Sequence, residues 1–146
     1  MLWGVTVFFD YSSSRDSLYL RNYRFFQKHI RSQGLKLLTI EVAFRKAPFL
    51  IDPGEADKVV QLRSPDVLWQ KEAVWNLADK YLPPECDKVV FLDCDLVYCD
   101  NEWAFQLTVL LNSYVAVQPF SRLMRLDQAG ADEFTRTGRL PGGKFL

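Results

Sequence analysis

Lys88-Val89-Val90-Phe91-Leu92-Asp93-Cys94-Asp95-Leu96 decides how the rest of this sequence is read. Val89 to Leu92 is a short, unbroken apolar run rich in β-branched and aromatic residues, so it predicts a strand. A continuous run, unlike an alternating one, implies burial on both faces, as in the centre of a parallel sheet. The run stops abruptly at two carboxylates spaced i, i+2. Side chains alternate along an extended chain, so Asp93 and Asp95 are expected to point one way and Cys94 back into the core.

Elements of both kinds flank this strand. Thr6 to Phe9 is a β-prone run that ends at Asp10-Tyr11-Ser12-Ser13-Ser14. Ser13 with Asp16 fits a capping box, and Tyr19, Tyr23, Phe26 and Ile30 then recur at helical spacing up to Gly34. Leu37 to Val42 is a second strand, Phe44 to Asp57 a loop, and Val59 to Leu62 a third strand. Ser64-Pro65 supplies an N-cap and a first-turn proline for a helix over 66–82 that buries Val67, Val74, Leu77, Ala78 and Tyr81. Pro83-Pro84 ends it. A helix over 101–111 and a last strand at Val115 to Gln118 complete the order, and the residues from Asp127 onward read as a polar loop. Strands alternating with helices predict an α/β fold, a mostly parallel sheet with flanking helices, over residues 1–126, followed by a polar tail or the start of an acceptor-side segment at 127–146. In such sheets ligands bind at the carboxyl ends of the strands.

The composition is that of a globular chain: 49% hydrophobic and 25% charged over 146 residues. Eighteen basic residues balance eighteen acidic ones, which argues against a nucleic-acid binder. The apolar runs fall short of the roughly 20 residues of a transmembrane helix. Met1 to Phe9 lacks a basic leader and a small-residue cleavage site, so it reads as a strand, not a signal peptide. Three cysteines cannot all pair within one chain, and with no secretion signal the expected location is cytoplasmic.

Two carboxylates about 6 Å apart repel by roughly 3 kcal/mol at an effective dielectric near 20. A hard divalent cation, Mg²⁺ or Mn²⁺, relieves that repulsion. The alternative is that the pair caps the following loop. Gln70 falls within the apolar stripe of the expected helix, so its amide needs a partner, either a backbone group or a ligand. Lys71 lies at the edge of that stripe, either solvated or reaching a phosphate near the strand ends. Asn76 lies about 140° from Lys71 and cannot easily share a ligand with it. Arg15 and His29 read as a surface arginine and a structural histidine. The four tryptophans read as packing residues, with Trp69 and Trp103 as candidates for stacking on a sugar.

The series Trp69-Gln70-Lys71-Glu72, helix, Leu82-Pro83, buried strand, Asp-x-Asp, together with the opening strand and its Asp10-Tyr11 loop, resembles the GT-A glycosyltransferases. These form the nucleotide-diphospho-sugar transferase superfamily, and the bacterial family-2 kind is the most similar. The resemblance spans roughly residues 5 to 120. It implies a Rossmann-like sheet that binds a nucleotide-diphosphate sugar through a metal. Asp95 would be the direct metal ligand, and Asp93 would support it or contact the ribose or sugar. Phe9, Asp10 and Tyr11 would line the nucleoside pocket, and Glu41, as the acid closing the second strand, would meet base or ribose. Family members continue into an acceptor-binding half, whereas 51 residues follow Asp95 here. Asp127, Asp132 and Glu133 are the candidate bases. The expectation is a glycosyltransferase or its donor-binding half, with an unspecified acceptor. The rival readings are a non-catalytic nucleotide-sugar-binding domain and a haloacid-dehalogenase-like phosphatase, the latter disfavoured by the missing acidic pair on a later strand.

Overall fold

The computed structural model describes residues 1–12 and 14–138 and shows an α/β fold. In chain order the elements are β1 (Leu2–Phe8), α1 (Leu18–Ser32), β2 (Lys36–Phe44), β3 (Lys58–Ser64), α2 (Lys71–Leu77), β4 (Lys88–Leu92), α3 (Trp103–Leu110) and α4 (Gln128–Thr137). Short 3-10 turns lie at Pro53–Glu55 and Ala78–Lys80. The four strands form one sheet in the order β3-β2-β1-β4, with every pairing parallel. No helix among the described residues is long and apolar enough to cross a membrane.

The sheet is covered on both faces, and the pleat assigns each strand residue to one of them. Trp3, Val5 and Val7 of β1, with Leu38, Ile40 and Val42 of β2, pack on Val74 and Ala78 at the α2 face. Leu2 and Phe8, with Leu37, Val90 and Leu92, pack on Leu20, Tyr23, Phe26 and Ile30 of α1 and on Trp103 and Leu107 of α3. Gly4 faces this second layer because there is no room for more: a Cβ there would lie 3.0 Å from Leu35 Cδ2 and 3.1 Å from Leu92 Cδ1. Two buried hydroxyls fix the layers, Thr6 Oγ1 donating to the Leu92 carbonyl at 2.8 Å and Tyr23 Oη pairing with Thr39 Oγ1 at 3.0 Å.

Several boundaries differ from the sequence reading. β1 and β2 are the strands buried on both faces, while β4 lies at the sheet edge among the described strands, with Phe91 half-exposed. Asp93 therefore ends an edge strand, not a central one: a strand flanked on one side only leaves part of its apolar run uncovered. Helix α1 is capped by Ser17, whose side chain accepts the Leu20 N–H, and the capping box expected from Ser13 lies outside the described residues. Leu20, not Tyr19, fills the buried stripe. Helix α2 begins at Lys71, not Asp66. The Ser64 hydroxyl donates to the Asp66 carbonyl and accepts the Gln70 amide and, weakly, the Asp66 N–H, so it closes a turn. Val67 is correspondingly exposed.

Val115 to Gln118 forms no strand. Residues 128–137, expected to be loop, form α4, with Asp127 as N-cap accepting the Gly130 N–H and Gly138 closing it at φ 67°. Phe134 anchors this helix against Phe25 of α1. Residues 139–146 of the expected tail lie outside the described residues.

Candidate functional site

The strand order locates the candidate site. Successive strands β1, β2 and β3 step in one direction across the sheet, and the chain then returns over its α2 face to add β4 on the other side of β1. The neighbouring carboxyl ends of β1 and β4 thus flank a reversal of strand order, the place where open parallel sheets leave a crevice. Asp10 follows β1 and Asp93 follows β4.

At β4 the strand ends at Leu92, and Asp93-Cys94-Asp95-Leu96 forms a turn closed by the Leu96 N–H on the Asp93 carbonyl at 3.4 Å. The alternation expected of an extended chain is thus replaced by turn geometry, yet the sorting survives. Cys94 packs against the core while Asp93 and Asp95 are exposed. Burial pushes the Cys94 thiol up to about 12, and the charges of Asp95 and Asp93 add to the shift. The thiol is therefore held neutral by its surroundings.

Asp93 is engaged by Lys71. The Nζ of Lys71 lies 2.6 Å from Asp93 Oδ1. It also lies 4.8 Å from the ring centroid of Trp75 and 5.5 Å from that of Trp69, within cation–π range of both. Trp75 packs on Phe91 of β4 at 5.1 Å, so the helix that carries Lys71 is keyed to the strand that carries Asp93. Asp95 makes no hydrogen bond or ion pair among the described residues.

At β1, Asp10 is 6% exposed. Its Oδ1 accepts the Ser12 N–H at 2.8 Å and the Ser12 hydroxyl at 2.6 Å, whereas its Oδ2 is buried with no partner among the described residues. A buried carboxylate oxygen without a donor is costly, and sites that await a ligand are one place where that cost is tolerated. Beside it Phe9 meets Tyr11, Phe44 and Trp69 edge-on, and Tyr11 stacks on Phe44 with 6° between their planes. Tyr11 and Trp69 remain 50% and 63% exposed, so apolar ring surface stays open at this end of the sheet.

The remaining expected residues go elsewhere. Glu41 does not close β2, which runs on to Phe44. Its buried carboxylate accepts the N–H groups of Leu50 and Ile51 and the side-chain amide of Gln61, and burial holds its pKa above the ordinary value. That makes it a clamp on the loop after β2. Gln70 donates to the Ser64 hydroxyl at 2.9 Å and, more weakly, to the Asp66 carbonyl at 3.4 Å, the second being a backbone group of the kind its alternative reading named. Asn76 and Arg15 are exposed. His29 Nε2 pairs with the Tyr98 carbonyl at 2.9 Å, a structural role. Trp103 is buried and stacks on Tyr98 at 3.9 Å, and its indole N–H donates to Gln33. Asp127 is a helix cap, Asp132 accepts the Gln128 amide, and Glu133 is exposed on α4.

What sequence reasoning missed is the aromatic bracket on Lys71. Trp75 lies four residues after Lys71, the spacing at which helical side chains meet. That signal was present in the sequence.

The donor chemistry at the β4 end suits a hard divalent cation, since both side chains offer carboxylate oxygens. Among the described residues no group of three or more His, Cys, Asp and Glu side chains comes together. Two carboxylates leave the other positions to water and phosphate oxygens, the usual arrangement for Mg²⁺ with a phosphorylated substrate. No known family model matches this chain, and neither the curated proteins nor the solved structures contain a match.

Proposed function

We propose that the carboxyl edge of β1 and β4 binds a nucleotide-diphosphate sugar with Mn²⁺ or Mg²⁺, and that the chain is a glycosyltransferase of the GT-A kind or its donor-binding half. The observation that carries this reading is the pairing of two features at one reversal of strand order. One is the exposed Asp93/Asp95 turn with Lys71 beside it, and the other is the buried, half-satisfied Asp10 carboxylate.

In this reading Asp95, with Asp93, holds the metal. When bound, the metal would act as a Lewis acid that stabilises the departing nucleoside diphosphate. Lys71 supplies a positive charge for the phosphates. Phe9, Tyr11 and Trp69 offer ring surface to the nucleoside or sugar, and Asp10 Oδ2 accepts a donor from the nucleoside. Glu41 serves the pocket indirectly, by fixing the loop after β2.

A second reading, donor binding without transfer, draws support from the candidate bases. Asp127 and Asp132 are engaged within α4, and α4 packs on α1 through Phe134 and Phe25.

Titration calorimetry with nucleoside diphosphates and nucleotide-sugars, with and without Mn²⁺, tests the proposal. Metal-dependent binding is expected, and equal affinity with and without Mn²⁺ would overturn the metal assignment. Transfer of sugar to an acceptor by the purified chain, abolished by Asp95→Asn, would separate the first reading from the second.

A further inference from the structure

We infer that Lys71 is a built-in competitor for the metal position: its ammonium holds Asp93 until a diphosphate arrives, so that metal and diphosphate bind synergistically and neither binds well alone. The inference rests on the site reading above and adds a regulatory role for a residue of this chain.

Three contacts hold Lys71 in place. Its Nζ pairs with Asp93 Oδ1 at 2.6 Å, and the rings of Trp75 and Trp69 lie on it at 4.8 and 5.5 Å. The lysine side chain is only 19% exposed, against 49% for Asp93. A partly desolvated ammonium gains more from a paired carboxylate than a solvated one does. Its tether is short, because Lys71 is the first residue of α2 and Trp75, one turn on, is packed against Phe91.

A divalent cation on the Asp93/Asp95 turn must then share or displace the lysine at Asp93. It would also stand close to a positive charge that has little water to screen it. Cation alone is thus disfavoured by the protein itself. A diphosphate changes the balance, since its oxygens give Lys71 another anionic partner and also complete the metal's coordination. Linkage makes the effect reciprocal: whatever factor diphosphate adds to metal affinity, metal adds to diphosphate affinity.

The test measures Mn²⁺ binding to the full chain by electron paramagnetic resonance of the free ion, followed by binding of uridine, guanosine, adenosine and cytidine diphosphates at saturating Mn²⁺. Lys71→Met keeps an unbranched side chain beside the two rings and removes the charge. It is expected to bind Mn²⁺ alone at least tenfold more tightly than the parent and to lose most of the diphosphate-induced gain. Lys71→Arg, which keeps the charge, is expected to stay within about twofold of the parent for Mn²⁺ alone. Should the Met variant melt early, Lys71→Gln carries the same expectation. If the uncharged variants bind Mn²⁺ no better than the parent while the parent still binds a diphosphate in a Mn²⁺-dependent way, the competitor role is wrong and the site reading stands. If Lys71→Arg gains affinity as the uncharged variants do, charge is not the cause and the inference falls. If no diphosphate binds the parent with Mn²⁺ dependence, the site reading fails and the inference fails with it.

Discussion

Gln61 donates its side-chain amide to Glu41 Oε2 at 3.0 Å, and the two residues are register partners on adjacent parallel strands. The same amide reaches the Ile51 carbonyl at 3.0 Å, while Glu41 takes the N–H groups of Leu50 and Ile51. One cross-strand pair therefore ties down the loop that leaves β2. Glu41→Ala would leave the buried N–H groups of Leu50 and Ile51 without their acceptor and take one of two acceptors from Gln61, and is expected to destabilise the fold by about 2–4 kcal/mol. Urea denaturation at neutral pH checks the value.

The same residue predicts a pH dependence. Burial raises the Glu41 pKa in the folded chain above its ordinary value of 4.5. The native state thus binds more protons than the unfolded one between those two values, and stability falls as pH rises through that window. Denaturation midpoints collected from acid to neutral pH should show this slope, and Glu41→Ala should lack it.

Asp57 predicts the opposite sign. Burial alone would raise its pKa, but the ammonium of Lys36 at 3.0 Å, the Leu37 N–H at 3.1 Å and the guanidinium of Arg31 hold it below 3.8. Its contribution is present above the ordinary value and is lost as pH falls through the folded value. Lys36 and Arg31 are well exposed, so the expected loss for Asp57→Asn at neutral pH is about 1 kcal/mol. Acid unfolding of the variant should be correspondingly less steep.

Asp10→Asn tests the orphan oxygen. The change keeps size and leaves one oxygen for Ser12, so the melting temperature should hardly move. If Oδ2 serves a ligand, nucleoside diphosphate affinity should drop by roughly 10–150-fold, the equivalent of a lost hydrogen bond to a charged group. Unchanged affinity would remove Asp10 from the site.

Asp95→Asn should weaken Mn²⁺-dependent diphosphate binding more than Asp93→Asn. Asp95 is the assigned direct ligand, and the Asp93 change also frees Lys71 from its partner. The loss for Asp95→Asn is expected to exceed the roughly 10–100-fold typical of a change just outside a metal's ligands, and calorimetry at fixed Mn²⁺ ranks the two.

Much of this architecture could be read from the sequence because the sheet is buried. The apolar runs of β1, β2 and β4 are short and rich in β-branched or aromatic residues, which favours strands, and the stripe of Tyr23, Phe26 and Ile30 carries the helical period. The features that were misread depend on neighbours. Whether Val89 to Leu92 is central or at an edge depends on what pairs beside it. Val115 to Gln118 has strand-forming residues but no partner strand among those described. Ser64-Pro65 has the chemistry of a helix start, and tertiary contacts use the hydroxyl to close a turn instead. Helix α4 was within reach: Asp127 and Gly138 bracket it with the cap chemistry that sequence reading looks for. For the site, the two acids and Lys71 were legible as types. Their pairing was not, because residues 71 and 93 meet only after β4 has joined the sheet.

The Thr6–Leu92 hydrogen bond has a consequence for how the molecule comes together in time. It joins residues 86 positions apart, while β1 and β2 meet across a single helix. Non-local pairing must meet its loop-closure entropy before any contact compensates for it, so β4 is expected to dock late, onto a β1–β2–β3 sheet already assembled. Asp93, Asp95 and the partner of Lys71 arrive with it. Binding competence would then be a property of the last folding step. Pulse-labelled amide exchange should find Val90 and Leu92 protected after Val5 and Leu38, and simultaneous protection would argue for a single concerted step.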